Sequence, residues 1–267
     1  LPKTILICGT GYIGSELART LVEDNSSVIA IKRSPPNEPV KGVTYLLCDL
    51  AEERQLEKLP TNVDEIVFCA APSNHTENDY REVYVEAIGN VVKSYESRGV
   101  TPRIIFTSST SVYGQDNGEI VDESSQTIPQ AFSGRTVLEG EQILRDSSLP
   151  WVVLRFGGIY GPGRMGMLQR LKSGAGIEQL SARELDTYTN RIHLIDCIGI
   201  ILFVIKSDLA RVVINCVDEK PVTRRGIASH FTSVALPESS GYFGKQVSSA
   251  YLQSLGYKFA IRDFTNS

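Results

Sequence analysis

The sequence predicts an α/β protein: a doubly wound parallel sheet flanked by helices, with a smaller C-terminal lobe. Three observations carry the prediction. Through residue 156, short β-branched runs alternate with longer helical patterns, the sign of βαβ units. Those runs are apolar enough to be strands buried on both faces. A glycine motif joins the first run to the first helical pattern, which is where such a fold needs a tight turn.

The strands are expected at residues 4–8, 28–31, 44–47, 66–69, 104–108 and 152–155. Between them, Ile13, Leu17 and Leu21 recur at helical spacing, as do Tyr80, Tyr84, Ile88, Val91, Val92 and Tyr95, so each stretch lays one apolar face on the sheet. Residues 35–39 hold three prolines and read as a surface loop after the second strand. Beyond Gly157-Gly158 the alternation fades. Gly161-Pro162-Gly163 breaks the chain, and residues 174–190 are polar. The expected organisation is therefore a dinucleotide-type domain over 1–156 and a smaller, partly interleaved substrate lobe over 157–267.

A chain of 267 residues buries about three quarters of its extended surface without external staples. A net charge of -4, with no run of Lys or Arg, gives no footprint for nucleic acid or an anionic membrane. The longest other apolar stretch, residues 198–205, is far below spanning length, and residues 5–8 are too short for a secretion-signal core. The five cysteines lack Cys-x-x-Cys spacing, which fits a reduced, cytoplasmic protein whose partner is a small molecule.

Gly9-Thr10-Gly11-Tyr12-Ile13-Gly14 is a G-x-G-x-x-G placed directly after a strand and opening a helix. The first glycine permits the turn, the second admits a pyrophosphate to the backbone, and the third lets helix and strand pack closely. This is the Rossmann signature of a nicotinamide dinucleotide site. NAD-specific sites place an acid at the end of the second strand; here stand Lys32, Arg33 and Ser34. Two cations and a hydroxyl suit a 2'-phosphate, so NADP(H) is preferred and NAD(H) is the alternative.

With these features the chain resembles the extended short-chain dehydrogenase/reductase superfamily, which includes UDP-galactose 4-epimerase and sugar-nucleotide dehydratases. The matching landmarks, besides the glycine loop, are Asp49-Leu50, Ala70-Ala71-Pro72, the run from Ile105 to Gly114, Arg155-Phe156-Gly157-Gly158-Ile159-Tyr160-Gly161-Pro162-Gly163, and Arg191-Ile192-His193-Leu194-Ile195-Asp196. The resemblance implies that Asp49 and Leu50 border the adenine and that Ala70 to Pro72 line the cofactor groove. It places Phe156, Gly157 and Gly158 by the nicotinamide, and Ser108 is counted with the cofactor residues.

The superfamily's chemistry uses a Tyr-x-x-x-Lys helix, in which the cation lowers the tyrosine pKa. Aligned without gaps, those positions hold Ser133 and Val137, and a one-residue shift gives Phe132 and Thr136. Glu86 stands where a supporting Asn is usual, Cys8 where the extended glycine loop has its first glycine, and the family's Ser survives as Ser109. The chain thus resembles an atypical, small epimerase-like subgroup.

Two functions follow. One is an oxidoreductase or epimerase acting on a hydroxyl or carbonyl through a non-standard site, with Ser109 and Tyr113 as catalytic candidates and Arg135 as a cation. The other is a non-catalytic, NADP(H)-responsive binding protein. Ser109, Arg164 and His193 are the expected substrate contacts. His75, His193 and His230 show no metal-ligand spacing, and no Gly-x-Ser-x-Gly elbow supports a hydrolase. A homodimer through the helices at 80–98 and 133–145 competes with the sheet for the same apolar faces.

Overall fold

The computed structural model describes residues 3–174 and 176–263. In chain order its first elements are β1 (Thr4–Cys8), α1 (Tyr12–Glu23), β2 (Ser27–Lys32), β3 (Val43–Leu47), β4 (Glu65–Phe68), α2 (Glu77–Arg81), α3 (Ile88–Ser97) and β5 (Arg103–Ser109). There follow β6 (Asn117–Val121), α4 (Phe132–Asp146), β7 (Trp151–Phe156), β8 (Gly158–Tyr160), α5 (Gly166–Ser173), α6 (Ala182–Leu185), β9 (Tyr188–Thr189) and β10 (Arg191–His193). The last are α7 (Leu194–Ile205), β11 (Val212–Cys216), β12 (Val222–Thr223), α8 (Arg224–Phe231), β13 (Gly244–Val247) and α9 (Ala250–Ser254).

Seven strands form one parallel sheet in the order β11-β7-β5-β4-β1-β2-β3, the doubly wound α/β fold. All six predicted strands are in it. The seventh, β11, comes from a Val-Val-Ile run beyond the region where the βα alternation was legible. Because β1 pairs with β2 on one side and β4 on the other, the chain reverses its winding at the β1/β4 boundary. A crevice opens outside the carboxyl ends of strands at such a switch point, and the glycine motif begins there.

The chain divides into two compact units. The first holds Leu1–Ser109, Ala131–Leu154 and Ile201–Val213; the second holds Thr110–Gln130, Arg155–Ile200 and Ile214–Ser267.

In the first unit, α1 buries Ile13, Leu17, Ala18 and Leu21, the face its spacing predicts. The stretch from Tyr80 to Tyr95 is not one uniform α-helix. A π-helical segment, Glu82–Ala87, separates α2 from α3. There Gly140 of α4 approaches so closely that a Cβ would lie 2.5 Å from the Tyr84 carbonyl oxygen, a contact only glycine allows. At the other end of the sheet Glu65 and Arg103 are register partners on β4 and β5. Arg103 grips Glu65 with two hydrogen bonds, of 2.9 and 2.7 Å, and donates to the carbonyls of Val204 and Ser207 at 2.9 and 2.8 Å. Lys3 donates to Glu65 and to the Ile205 carbonyl, so two cations meet the C-terminal end of α7, where the helix dipole is negative.

The second unit is built on three two-stranded ladders, β8/β10, β9/β12 and β6/β13. Tyr160, Leu168, Leu171, Ile177, Leu185 and Ile227 form one apolar core there. Asp196, fully buried in the first turn of α7, accepts from the Tyr257 hydroxyl at 2.9 Å and the amides of Ala260 and Ile261 at 2.8 and 2.9 Å. One carboxylate thereby fixes the segment around 257–261. Among the described residues, no helix is long and apolar enough to cross a membrane, and all five cysteines are free and buried.

Candidate functional site

The β1–α1 loop is shaped by what its glycines can and cannot touch. Gly9 has φ +100°, and a Cβ there would lie 2.4 Å from the Ala70 Cα, so the loop and the end of β4 meet backbone to backbone. A Cβ on Gly14 would sit 2.0 Å from the Gly9 carbonyl oxygen, while the Cys69 thiol donates to that same oxygen at 3.0 Å. Gly11 differs: among the described residues its Cβ would meet nothing within 4 Å. Gly11 is also the N-cap of α1, with no capping side chain and no acid in the first turn. Beside it the Thr10 hydroxyl oxygen is buried without a hydrogen-bond partner among the described residues. An open cradle, uncapped helix N–H groups and an orphaned hydroxyl fit the pyrophosphate of a dinucleotide. Tyr12 is half-buried at the start of α1 and Ile13 belongs to the core.

Lys32 ends β2, half-buried, and Arg33 and Ser34 follow it, exposed. Arg33 donates to Ser73 Oγ at 3.0 Å and to Glu82 Oε1 at 3.1 Å. After β3, the Asp49 amide donates to Gln55 at 3.0 Å, and Asp49 accepts from the Ala51 amide at 3.1 Å. Leu50 is buried and Asp49 half-buried. Asn90, which sequence reasoning missed, donates to the carbonyls of Leu50 and Ala51 at 3.1 and 2.9 Å and so pins this loop from α3. Its lone position on α3 gave no signal. Ala70 lies against Gly9, with Pro72 half-buried and Ala71 exposed beyond it.

Several expected contacts prove to be internal. Ser108 is 6 % exposed and donates to the buried Glu141 carboxylate at 2.6 Å, so its hydroxyl proton is committed inside the first unit. Ser109, one residue on, ends β5 half-buried. Tyr113 does not stand ready as a proton donor. It is 1 % exposed, donates to Asn215 at 2.8 Å and accepts from Arg155 at 2.8 Å. Burial pushes its pKa up against the pull of Arg155. His193 is likewise buried, with its ring 5.1 Å from that of Tyr160 and its Nδ1 accepting from the Ile195 amide at 3.2 Å. Burial pushes its pKa down, opposed by Asp196, which disfavours the charged imidazolium in this packed position. Arg164 is exposed.

Phe156 is buried, and Gly157 and Gly158 follow it with their amides already committed, to the carbonyls of Cys216 at 3.0 Å and Asn190 at 2.7 Å. A Cβ on Gly157 would be 2.7 Å from the Asn190 carbonyl oxygen, which accounts for glycine there.

A profile of the NAD dependent epimerase/dehydratase family matches residues 5–213. The chain belongs to that family. Through it the chain is a member of the extended short-chain dehydrogenase/reductase superfamily. Protein YeeZ of Escherichia coli (strain K12) is 31% identical over 219 residues, 77% of this chain and 74% of YeeZ. A Methylobacillus flagellatus protein, named by inference as an NAD-dependent epimerase/dehydratase, superposes with a TM-score of 0.82 at 30% identity, over 99% of this chain and 96% of that one. The Thermus thermophilus UDP-glucose 4-epimerase, solved with NAD, shares the fold, with a TM-score of 0.78 at 19% identity over 98% and 96% of the two chains.

On α4 of this family member, Ser133 is half-buried in the first turn, and Val137 is 3 % exposed and packed as core. Asp218 is a second residue that sequence reasoning passed over. It is 6 % exposed, accepts from the Tyr160 hydroxyl at 3.1 Å through Oδ2, and leaves Oδ1 buried without a hydrogen bond among the described residues. Burial pushes its pKa from 3.8 up to about 8; Tyr160 pulls it down, and Asp196 and Asp263 push it further up.

Between those two values the unfolded chain has released a proton that the native state keeps, so native stability falls as pH rises from 3.8 towards 8. Asp218→Asn removes that dependence. Its unfolding free energy from urea titration is expected to gain progressively on the parent across this window, by on the order of a few kcal/mol at the upper end. A difference that stays constant with pH would show the carboxyl to be ionised in the folded protein.

Proposed function

We propose that the chain binds NADP(H) in preference to NAD(H) at the β1–α1 loop. There it works as an epimerase/dehydratase-like oxidoreductase on a small hydroxyl or carbonyl substrate, with sugar nucleotides as the first class to try. The carrying observation is the open cradle at Gly11 beside the orphaned Thr10 hydroxyl. In this reading Thr10, Gly11 and the first amides of α1 hold the pyrophosphate, and Lys32, Arg33 and Ser34 meet the adenosine ribose and its 2'-phosphate. Asp49 and Leu50 border the adenine, and Ala70, Ala71 and Pro72 line the groove. When bound, the nicotinamide supplies hydride transfer. Five buried free thiols support a reducing, cytoplasmic setting.

Ser109 hydrogen-bonds the substrate oxygen, but Ser133 and Val137 provide neither the proton carrier nor the cation of the family pattern. Loss of a general acid or base costs about 10²- to 10⁴-fold in rate. That sequence observation favours one further reading, a binding protein that responds to NADP(H) without turnover.

Calorimetric titration of the cofactor-stripped protein with NADPH and NADH, beside the Lys32→Ala/Arg33→Ala double variant, tests the site. Tighter binding of NADPH is expected, weakened about 10- to 100-fold in the double variant, the scale of one lost charge-assisted hydrogen bond. Binding of neither dinucleotide would end this reading. Binding without turnover across a sugar-nucleotide panel would favour the binding protein.

A further inference from the structure

We propose that Glu82 tunes dinucleotide choice by occupying Arg33, acting from a distant element as the acid that is missing at the end of β2. The inference rests on the dinucleotide reading above and adds to it a selectivity residue. Arg33 follows β2, where this fold places the adenosine ribose. Its guanidinium donates Nη1 to Glu82 Oε1 at 3.1 Å and Nη2 to Ser73 Oγ at 3.0 Å. Ser73 comes directly after the Ala70-Ala71-Pro72 turn, and Glu82 opens the π-helical segment. Three segments that are separate in sequence therefore converge on one cation at the rim of the switch-point crevice.

The two cofactors make different demands on this cluster. A ribose 2'-phosphate needs the guanidinium for itself, because a paired phosphate and carboxylate facing one cation repel each other. NADP(H) binding must therefore break the Arg33–Glu82 pair or move it aside. The 2'-hydroxyl of NAD(H) makes no such demand: it is a neutral donor, and a carboxylate is the partner that NAD-type sites use for it. The pair is solvated, with side-chain exposures of 55% for Arg33 and 34% for Glu82, so its cost to NADP(H) is modest and the exchange is open to ligand. Glu82 thus narrows the preference for NADP(H) that Lys32 and Arg33 create. The chain can accept both cofactors, in a ratio set by three side chains.

Glu82→Gln keeps the size and the hydrogen-bonding capacity of the side chain and removes its charge. Fluorescence titration with NADPH and NADH is expected to show NADPH affinity raised about two- to fivefold, the scale of an exposed ion pair, with NADH unchanged or weaker. In an Arg33→Ala background the same change should give no NADPH gain, because the coupling between the two residues is then gone. Equal shifts for both dinucleotides, no shift, or an NADPH gain that survives Arg33→Ala would each overturn the proposal while leaving the site itself standing. If neither parent nor variant binds either dinucleotide, the site reading fails and this inference with it. Matching thermal midpoints for parent and Glu82→Gln separate a selectivity effect from damage to the fold.

Discussion

Arg103→Met is expected to cost about 3–5 kcal/mol of stability, the range for breaking a buried ion pair from one side. Arg103 and Glu65 are 9 % and 3 % exposed, on neighbouring strands of the sheet. The methionine would fill much of the volume, so the loss is electrostatic. Glu65 would keep only Lys3, whose side chain is 41% exposed, and the carbonyls of Val204, Ser207 and Leu209 would lose the donor that reaches them at 2.6–2.9 Å. An uncompensated buried carboxylate is the more expensive of these terms. Adding Glu65→Leu to Arg103→Met should therefore recover a substantial part of the loss, although the carbonyls at the α7 end still lack the donor that Arg103 supplied. Urea unfolding of the parent, the two single variants and the double variant gives the cycle. A loss below about 1 kcal/mol for Arg103→Met would mean that water reaches the pair and that it behaves as a surface bridge.

The sheet was legible because its signals are local. Each of the six predicted strands is a short β-branched run closed by turn residues, and α1 shows its core face in Ile13, Leu17 and Leu21 within one window. Gly9, Gly11 and Gly14 were legible for the same reason, since strand, turn and helix are contiguous; Gly9 and Gly14 answer to close backbone contacts there, and Gly11 lies open. What the sequence hid depends on partners far along the chain. Tyr113 is a catalytic candidate by its place after β5, and the sequence does not show that Asn215, 102 residues away, accepts from it. Ser108 looks like its neighbour Ser109 until Glu141 claims it from α4. Arg33 reads as a cation for a 2'-phosphate, and its pairing with Glu82, 49 residues on, has no signal in the sequence. β11 was missed because the chain returns to the sheet only after an excursion that had already broken the βα rhythm. The π-helical segment was invisible for a different cause: an apolar pattern at i and i+4 fits both helix types over so few residues.

The glycine loop offers the sharpest separation of folding from binding. Gly14→Ala puts a methyl group 2.0 Å from the Gly9 carbonyl oxygen, and the next contact, Cys69 Sγ at 2.9 Å, closes the way round it. Backbone must shift, so a loss of about 1–3 kcal/mol is expected, together with the loss of dinucleotide binding as the turn opens. Gly11→Ala carries the same added methyl into open space, with nothing within 4 Å. The only folding cost is that of exchanging an N-cap glycine for alanine, about 0.5–1 kcal/mol. If the pyrophosphate rests against that backbone, the methyl group occupies its place, and dinucleotide affinity should fall tenfold or more, about 1.4 kcal/mol. Thermal midpoints and NADPH titrations of the two variants distinguish the roles: Gly14→Ala loses fold stability and ligand together, whereas Gly11→Ala loses ligand with only the smaller N-cap cost to the midpoint. A Gly11→Ala protein that binds NADPH as well as the parent would move the phosphates off the cradle, since among the described residues nothing within 4 Å of the added methyl group would otherwise obstruct them.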